Sequence, residues 1–192
     1  VSALASPAER IVDAARAIIA ARGIAGATFD QVARGAGVSR GLLHYYFGTK
    51  ERLLVEVVRR ECEVRNAALE AAIEAADSPE GVLEALVGSF EELLDHGPTT
   101  VVMLHEMITL AQRNAEIAAE VAELGRRTRA QLADALRAKD QDGVLELRDS
   151  AEVVAAFLSV LADGIIVRTL SEPGYDVRPL MEKAVAAART LL

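Results

Sequence analysis

The stretch TFDQVARGAGVSRGLLHYYF, residues 28–47, decides the fold. Thr28 stands just before Phe29, Asp30 and Gln31, and its hydroxyl can accept one of the backbone N–H groups that a first helical turn leaves unpaired. Val32, Ala33 and Ala36 then recur on one side of a short helix. Gly37 supplies a tight turn, and Ser39 repeats the capping logic for a second short helix, Arg40 to about Tyr46. Two short helices around a turn with a central glycine make a helix-turn-helix, whose second helix enters the major groove and meets base edges with its N-terminal residues. Ala33, Ala36 and Gly37 are small enough for the helices to approach, and Val32, Val38 and Leu43 seal the core beneath them. The outward face offers Arg40, His44, Tyr45 and Tyr46 to bases or phosphates. Lys50, with the N-terminus of the following helix, can hold a further phosphate.

Working outward, the pattern stays helical. Ser6-Pro7-Ala8-Glu9 reads as a capping box, followed by an apolar stripe of Ile11, Ala14, Ala15, Ile18 and Ile19 that Gly23 ends. Gly48-Thr49 breaks the third helix, and Thr49 caps a long fourth helix running to about Ala76. Ser78-Pro79 starts a fifth, ending near His96-Gly97-Pro98. A sixth spans about Thr100 to Gln112. Asn114 caps a seventh, which runs to about Lys139 and stops at Asp140-Gln141-Asp142-Gly143. Asp149 or Ser150, with Glu152, caps an eighth; Pro173-Gly174 ends that region, and a ninth fills Val177 to Leu191. The expected fold is all-α, about nine helices with the first three very short. A three-helix helix-turn-helix domain is expected over residues 1–50, and a helical ligand-binding and dimerisation bundle over 51–192.

Composition agrees with a packed cytoplasmic protein. Apolar residues make up 52% and charged residues 26% of 192, enough to build a core. Cys62 is the only cysteine, which excludes a disulfide within the chain and suits a reducing compartment. Val1 to Pro7 carries no basic residue ahead of an apolar run, so no signal peptide is read. The nearest approach to a membrane span, Val153 to Leu170, is interrupted by Asp163, Gly164 and Arg168, and no membrane partner is expected. The net charge of −8 hides an asymmetry. Residues 1–60 hold nine basic and five acidic residues, net +4, and residues 61–192 hold 12 and 24, net −12. A basic head on an acidic body attracts a polyanion at one end.

The run from Thr28 to Leu53 closely resembles the signature of TetR-family transcriptional regulators: a Thr start, V-A-x-x-A-G-V-S, G-x-L-Y-x-Y-F, then K-E-x-L. Here these segments are Val32 to Ser39, Gly41 to Phe47 and Lys50-Glu51-Arg52-Leu53, within a run of 26 of the 192 residues. His44 departs from the pattern, which usually has Tyr at that position. The resemblance implies that Arg40, Gly41 and His44 fall where bases are touched. It places Thr28, Ser39, Leu42, Tyr45, Tyr46 and Lys50 where backbone contacts are usual, and Phe47 as a wedge between the third and fourth helices.

In the body, Phe90, Leu94, Met103, Met107 and Leu110 suit either an adaptable cavity or an ordinary core. The resemblance implies an inducer here, with Asn66, Phe90, Met103, His105 and Met107 as pocket candidates. His105-Glu106 begins like a zinc-protease motif, but Thr109 stands where the second histidine belongs. Asp140, Asp142 and Gly143 lack calcium-loop spacing and read as a turn. Cys62 has no His/Asp constellation, and no phosphate loop, nucleophile elbow or dinucleotide fingerprint occurs. No metal, cofactor or catalysis is therefore expected.

The eighth helix is apolar nearly all round, which calls for burial on every side and hence a partner. The resemblance implies a homodimer built from the last two helices. Val153, Val154, Phe157, Leu161 and Ile165 of the eighth would meet Leu180, Met181, Ala184, Val185 and Ala188 of the ninth. A twofold dimer reads a roughly palindromic duplex. The function expected is a DNA-binding repressor released from its operator by a small-molecule effector. Two rivals stand beside it: a regulator without an effector, responding to its own concentration or to a protein partner, whose core would be filled, and a helical enzyme with a basic N-terminal domain, which needs a polar constellation that the body lacks.

Overall fold

Ser6 opens the first helix as its sequence dictates. Its hydroxyl accepts the Glu9 N–H at 3.2 Å, and the Glu9 carboxylate accepts the Ser6 N–H at 2.7 Å. The computed structural model describes residues 6–96, 98–172 and 174–192. Among them lie nine helices: α1 (Pro7–Gly26), α2 (Phe29–Ala36), α3 (Arg40–Phe47), α4 (Lys50–Ala75), α5 (Pro79–His96), α6 (Pro98–Ala111), α7 (Ala115–Gln141), α8 (Ala151–Ser171) and α9 (Arg178–Arg189). The described residues contain no strand. The readings placed on Val1 to Ala5, Gly97 and Pro173 lie outside the described residues.

One expectation needs correcting. α1 is 20 residues long rather than very short. Gly23 takes φ 71°, a left-handed conformation that ought to stop the helix, yet helical turns resume as far as Gly26. The Lys50 ammonium donates to the Ile24 carbonyl at 2.6 Å, an acceptor it shares with the Ala27 N–H at 3.2 Å. Thr49, Asn114 and Ser150 cap α4, α7 and α8 through N–H groups three residues on, at 3.3, 3.3 and 3.4 Å.

The chain divides into two compact units. The first holds the residues up to Glu61 together with Thr99–Ala122, and the second holds Cys62–Pro98 with Glu123–Leu192. In the first, Ile11, Ala15 and Ile19 of α1 are buried, as are Val32, Ala33 and Ala36 of α2 and Leu43 and Phe47 of α3. Each large side chain so buried contributes about 1.5–3 kcal/mol. α4 adds Leu53, Leu54, Val57 and Val58, and α6 adds Met103 and Met107. Ion pairs join α4 to the start of α7 within this unit, Arg52 to Glu116 and Arg59 to Glu120, and join Arg16 of α1 to Glu61.

In the second unit, Ile73, Val82, Ala133, Leu136, Val154 and Ala155 form one core that Leu145 closes. The Lys139 ammonium caps the end of α4 by donating to the Glu74 and Ala76 carbonyls, both at 2.7 Å. The turn after α7 is built as read: Gly143 takes φ 74°, and Asp140 accepts the Leu147 N–H at 2.9 Å.

α8 departs from the expectation of burial on every side. Val154 and Ile165 are inside, whereas Val153, Phe157, Val160 and Val167 are exposed, Val160 at 66%. By length and composition alone, α8 is apolar enough to cross a membrane.

Candidate nucleic-acid interface

The interface is assembled by two caps and one glycine. Thr28 Oγ1 accepts the Gln31 N–H at 3.3 Å and starts α2. Gly37 takes φ 65°, and the Val38 N–H reaches back to the Ala33 carbonyl at 3.0 Å. An L-residue with a side chain is strained in that conformation, so glycine sets the angle at which α3 leaves α2. Ser39 Oγ then accepts the Leu42 N–H at 3.1 Å and starts α3. Gly35 brings α2 against α1, where an added Cβ would meet Ala14 and Ile18 at 3.4 and 3.5 Å.

The orientation of α3 follows from which residues it buries. Leu43 and Phe47, one turn apart, point into the core. At 100° per residue, Gly41 and Tyr45 then face directly away from it, with His44 on the flank. Tyr45 is 82% exposed and Tyr46 43%, their rings edge to face at 5.4 Å. Thr28, Ser39, Arg40, Gly41 and His44 are also exposed, and Leu42 and Lys50 are half-buried. Phe47 is a core residue of the head.

Three side chains of this face already hold partners. The Arg40 guanidinium donates to the Asp30 carboxylate at 3.2 Å, bridging α3 to α2 on the exposed surface. The His44 ring packs edge to face on Phe29, centroids 4.6 Å apart, with Nδ1 3.2 Å from the Gly48 carbonyl. Lys50, expected at a phosphate, spends one donor on Ile24 and keeps two. The sequence carried no signal for that contact, because the acceptor lies 26 residues earlier and is a main-chain carbonyl.

The body residues distribute differently. Met103 and Met107 share the buried side of α6 while His105 is exposed, all three in the first unit. Asn66 and Phe90 belong to the second unit. There the Asn66 amide donates to Thr128 Oγ1 at 3.1 Å and Gln131 Oε1 at 2.8 Å, and Phe90 is half-buried. A groove of about 340 Å³ between α5 and α9 is lined by Glu80, Glu84, Glu91 and Arg189 over Leu83, Val87 and Val185. Periodicity gave no hint of it. Among the described residues no group of three or more His, Cys, Asp and Glu is placed to hold a metal.

Of the expected contact residues on α8 and α9, Val154, Ile165 and Ala188 are closed inside their own chain. Leu161, Met181, Ala184 and Val185 are half-buried, and Val153, Phe157 and Leu180 are exposed. Val160 and Val167 complete an exposed stripe Val153-Phe157-Val160-Gly164-Val167 at helical spacing. Asp163 borders it. Partial desolvation pushes its carboxyl above the ordinary aspartate range, with Arg129 opposing the shift.

Residues 11–57 match the family of bacterial regulatory proteins, tetR family, and residues 79–192 match the C-terminal part of BetI-type transcriptional repressors. The HTH-type transcriptional regulator BetI of Rhizobium meliloti (strain 1021) is 34% identical over 159 residues, which is 82% of this chain and 75% of that protein. Among solved structures, the regulator FadR of Bacillus subtilis in complex with stearoyl-CoA has a TM-score of 0.70 at 19% identity, covering 95% of this chain and 97% of that one. A transcriptional regulator from Saccharomonospora viridis in complex with choline has a TM-score of 0.68 at 22% identity and covers 92% of each chain. Both structures share the fold.

Proposed function

Since this chain belongs to the tetR family of bacterial regulatory proteins, with a BetI-type repressor C-terminal part, we propose that it represses transcription as a homodimer on a palindromic operator and is released by a small-molecule effector. The observation that carries the reading is the exposed face of α3, with Arg40, Gly41, His44 and Tyr45 outward on a basic head capped at both helix starts. Arg40, Gly41 and His44 take the bases. Thr28, Ser39, Leu42, Tyr45, Tyr46 and Lys50 take the sugar-phosphate backbone. Reading is assigned to residues 1–50, and effector binding and dimerisation to 51–192.

The dimer is supported by the apolar stripe on α8, which water otherwise covers. Two heads related by a twofold axis meet successive major grooves about 34–36 Å apart. An effector that binds the misaligned state of the dimer more tightly, by about 2.8 kcal/mol, lowers operator affinity a hundredfold. The net charge of −12 over residues 61–192 favours a small organic cation as that effector, and choline, held by one structural neighbour, is the first compound to try. A repressor of this kind works at the bacterial chromosome, hence in the cytoplasm.

Selection of fragmented genomic DNA on the purified protein, followed by sequencing, tests the reading. One enriched palindrome supports it, and uniform recovery refutes it. Choline and stearoyl-CoA are then titrated into the operator complex. Release by choline alone supports the cationic effector. Release by stearoyl-CoA alone replaces it with an acyl thioester, and release by neither favours the regulator without an effector of these classes.

A further inference from the structure

His44 is held in a way that decides what it can read. Its ring is fixed on one side by Phe29, edge to face at 4.6 Å, and Nδ1 lies 3.2 Å from the Gly48 carbonyl oxygen. A carbonyl oxygen only accepts, so this contact is a hydrogen bond only when the proton sits on Nδ1. In the neutral imidazole that leaves Nε2 with a bare lone pair. No group among the described residues engages Nε2, and the side chain is exposed on the flank of α3. The charged groups on the surrounding elements are Arg40 one turn back, Asp30 and Arg34 of α2, and Lys50, Glu51 and Arg52 in the first turn of α4. Arg40 is paired with Asp30, Arg34 donates to the Asp30 carbonyl, Lys50 to the Ile24 carbonyl, and Arg52 is paired with Glu116.

We propose that His44 is a specificity-determining residue that reads its base as a hydrogen-bond acceptor, through Nε2, with the Gly48 carbonyl fixing the tautomer and Phe29 fixing the ring's orientation. The inference rests on the DNA-binding reading above. In the major groove the donors are the adenine N6 and cytosine N4 amines, whereas guanine and thymine present acceptors at the equivalent edge. His44 therefore selects adenine or cytosine on the strand it faces and sets two lone pairs against each other at guanine or thymine. Arg40, a donor with no acceptor, selects the opposite pattern one helical turn away. The face thus carries a donor and an acceptor in fixed order, and that order fixes the orientation of each half-site.

Two measurements test this. Nitrogen-15 NMR of the imidazole in the free protein at pH 8 should find the proton on Nδ1; a proton on Nε2 overturns the proposal without any DNA. On the selected operator, each adenine in turn is replaced by purine and each cytosine by 2-pyrimidinone, which deletes one amine at a time. One position per half-site should lose roughly 5- to 10-fold in wild-type affinity, and His44→Ala should lose a similar factor on intact DNA while becoming indifferent to that deletion. The exposed ring makes His44→Ala tolerable to the fold, which circular dichroism checks. His44→Gln, which can also offer an acceptor, should retain part of the amine dependence. Amine sensitivity that persists unchanged in His44→Ala, or its absence at every position, overturns the tautomer reading alone. Failure of any duplex to bind overturns the DNA-binding reading and this inference with it.

Discussion

Replacing Gly41 by alanine should make the protein more stable and a worse DNA binder at once. Gly41 sits in the first turn of α3, and an added Cβ would meet nothing nearer than Ser39 Oγ at 3.9 Å, an ordinary contact. Its φ is not positive, so the backbone does not require glycine there. Glycine in a helix costs about 0.5–1 kcal/mol against alanine, chiefly through the entropy of the unfolded chain. Gly41→Ala should therefore raise Tm by about 1–4 °C in a chain of this size. The fold has no use for this glycine, whereas the proposed complex does: Gly41 lies on the side of α3 opposite Leu43, where an added methyl group would stand between the helix and the groove floor. Operator affinity should fall at least tenfold, about 1.4 kcal/mol. Gly88→Ala is the control, because it lies in α5 with equally open space around it and should stabilise without touching DNA affinity. Differential scanning fluorimetry and fluorescence anisotropy on the selected operator read the two effects. A Gly41→Ala protein that gains stability and binds the operator as wild type would falsify the placement of this turn against the bases.

Val160→Glu removes no core contact, since Val160 is 66% exposed. It should convert dimer to monomer in sedimentation velocity and weaken operator binding; an unchanged sedimentation coefficient would place the dimer face elsewhere. Asp30→Asn frees Arg40 and removes one negative charge beside the phosphates. Non-specific affinity should rise while the specificity ratio falls, and on non-specific DNA the slope of log K against log salt should steepen by about 0.9 as the freed Arg40 takes up a phosphate there; an unaltered non-specific slope counts against an Arg40 within reach of DNA. Asp163 has a folded-state pKa above its unfolded value, so the folded chain binds the extra proton and stability declines as pH rises through that window. Asp163→Asn should raise Tm at pH 7 and lose that advantage on acidification toward pH 4; an advantage that persists at low pH would show that its ionisation is not the cause.

The head was legible because its determinants are local. Thr28 and Ser39 each bond an N–H three residues on, and Gly37 needs only its own φ, so sequence spacing carries all three. Contacts between elements left no such trace. The Lys50 bond to Ile24 and the edge-to-face packing of His44 on Phe29 depend on how α1, α2 and α3 pack, and each changes the role that its residue type suggests alone. α8 failed differently. With Val153, Val154, Phe157, Leu158, Val160 and Leu161 apolar in every direction, the pattern has no phase. It identifies a buried helix without saying which side its own chain buries. Only packing separates Val154, fully enclosed, from Val160, 66% exposed.

The same contrast explains why an effector pocket is harder to read from sequence than a DNA-reading face. DNA presents a constant surface, so a head that reads it keeps a fixed helix pair and varies a few outward side chains. An effector pocket faces no such constant, and apolar residues that line a cavity use the same helical spacing as those that fill a core. Met103 and Met107 illustrate this: both are buried on one side of α6 and satisfy either role equally. α6 nevertheless belongs to the compact unit that contains α1 to α3, and Arg52 and Arg59 of α4 are paired with the first turns of α7 in that unit. Exposed pairs of this kind are worth about 0–1 kcal/mol each. In the proposed release that is less than the about 2.8 kcal/mol by which an effector would have to prefer another arrangement of α4 against the start of α7. Breaking both pairs with Arg52→Gln and Arg59→Gln should therefore alter operator affinity by several-fold while leaving the base preference set by α3 unchanged.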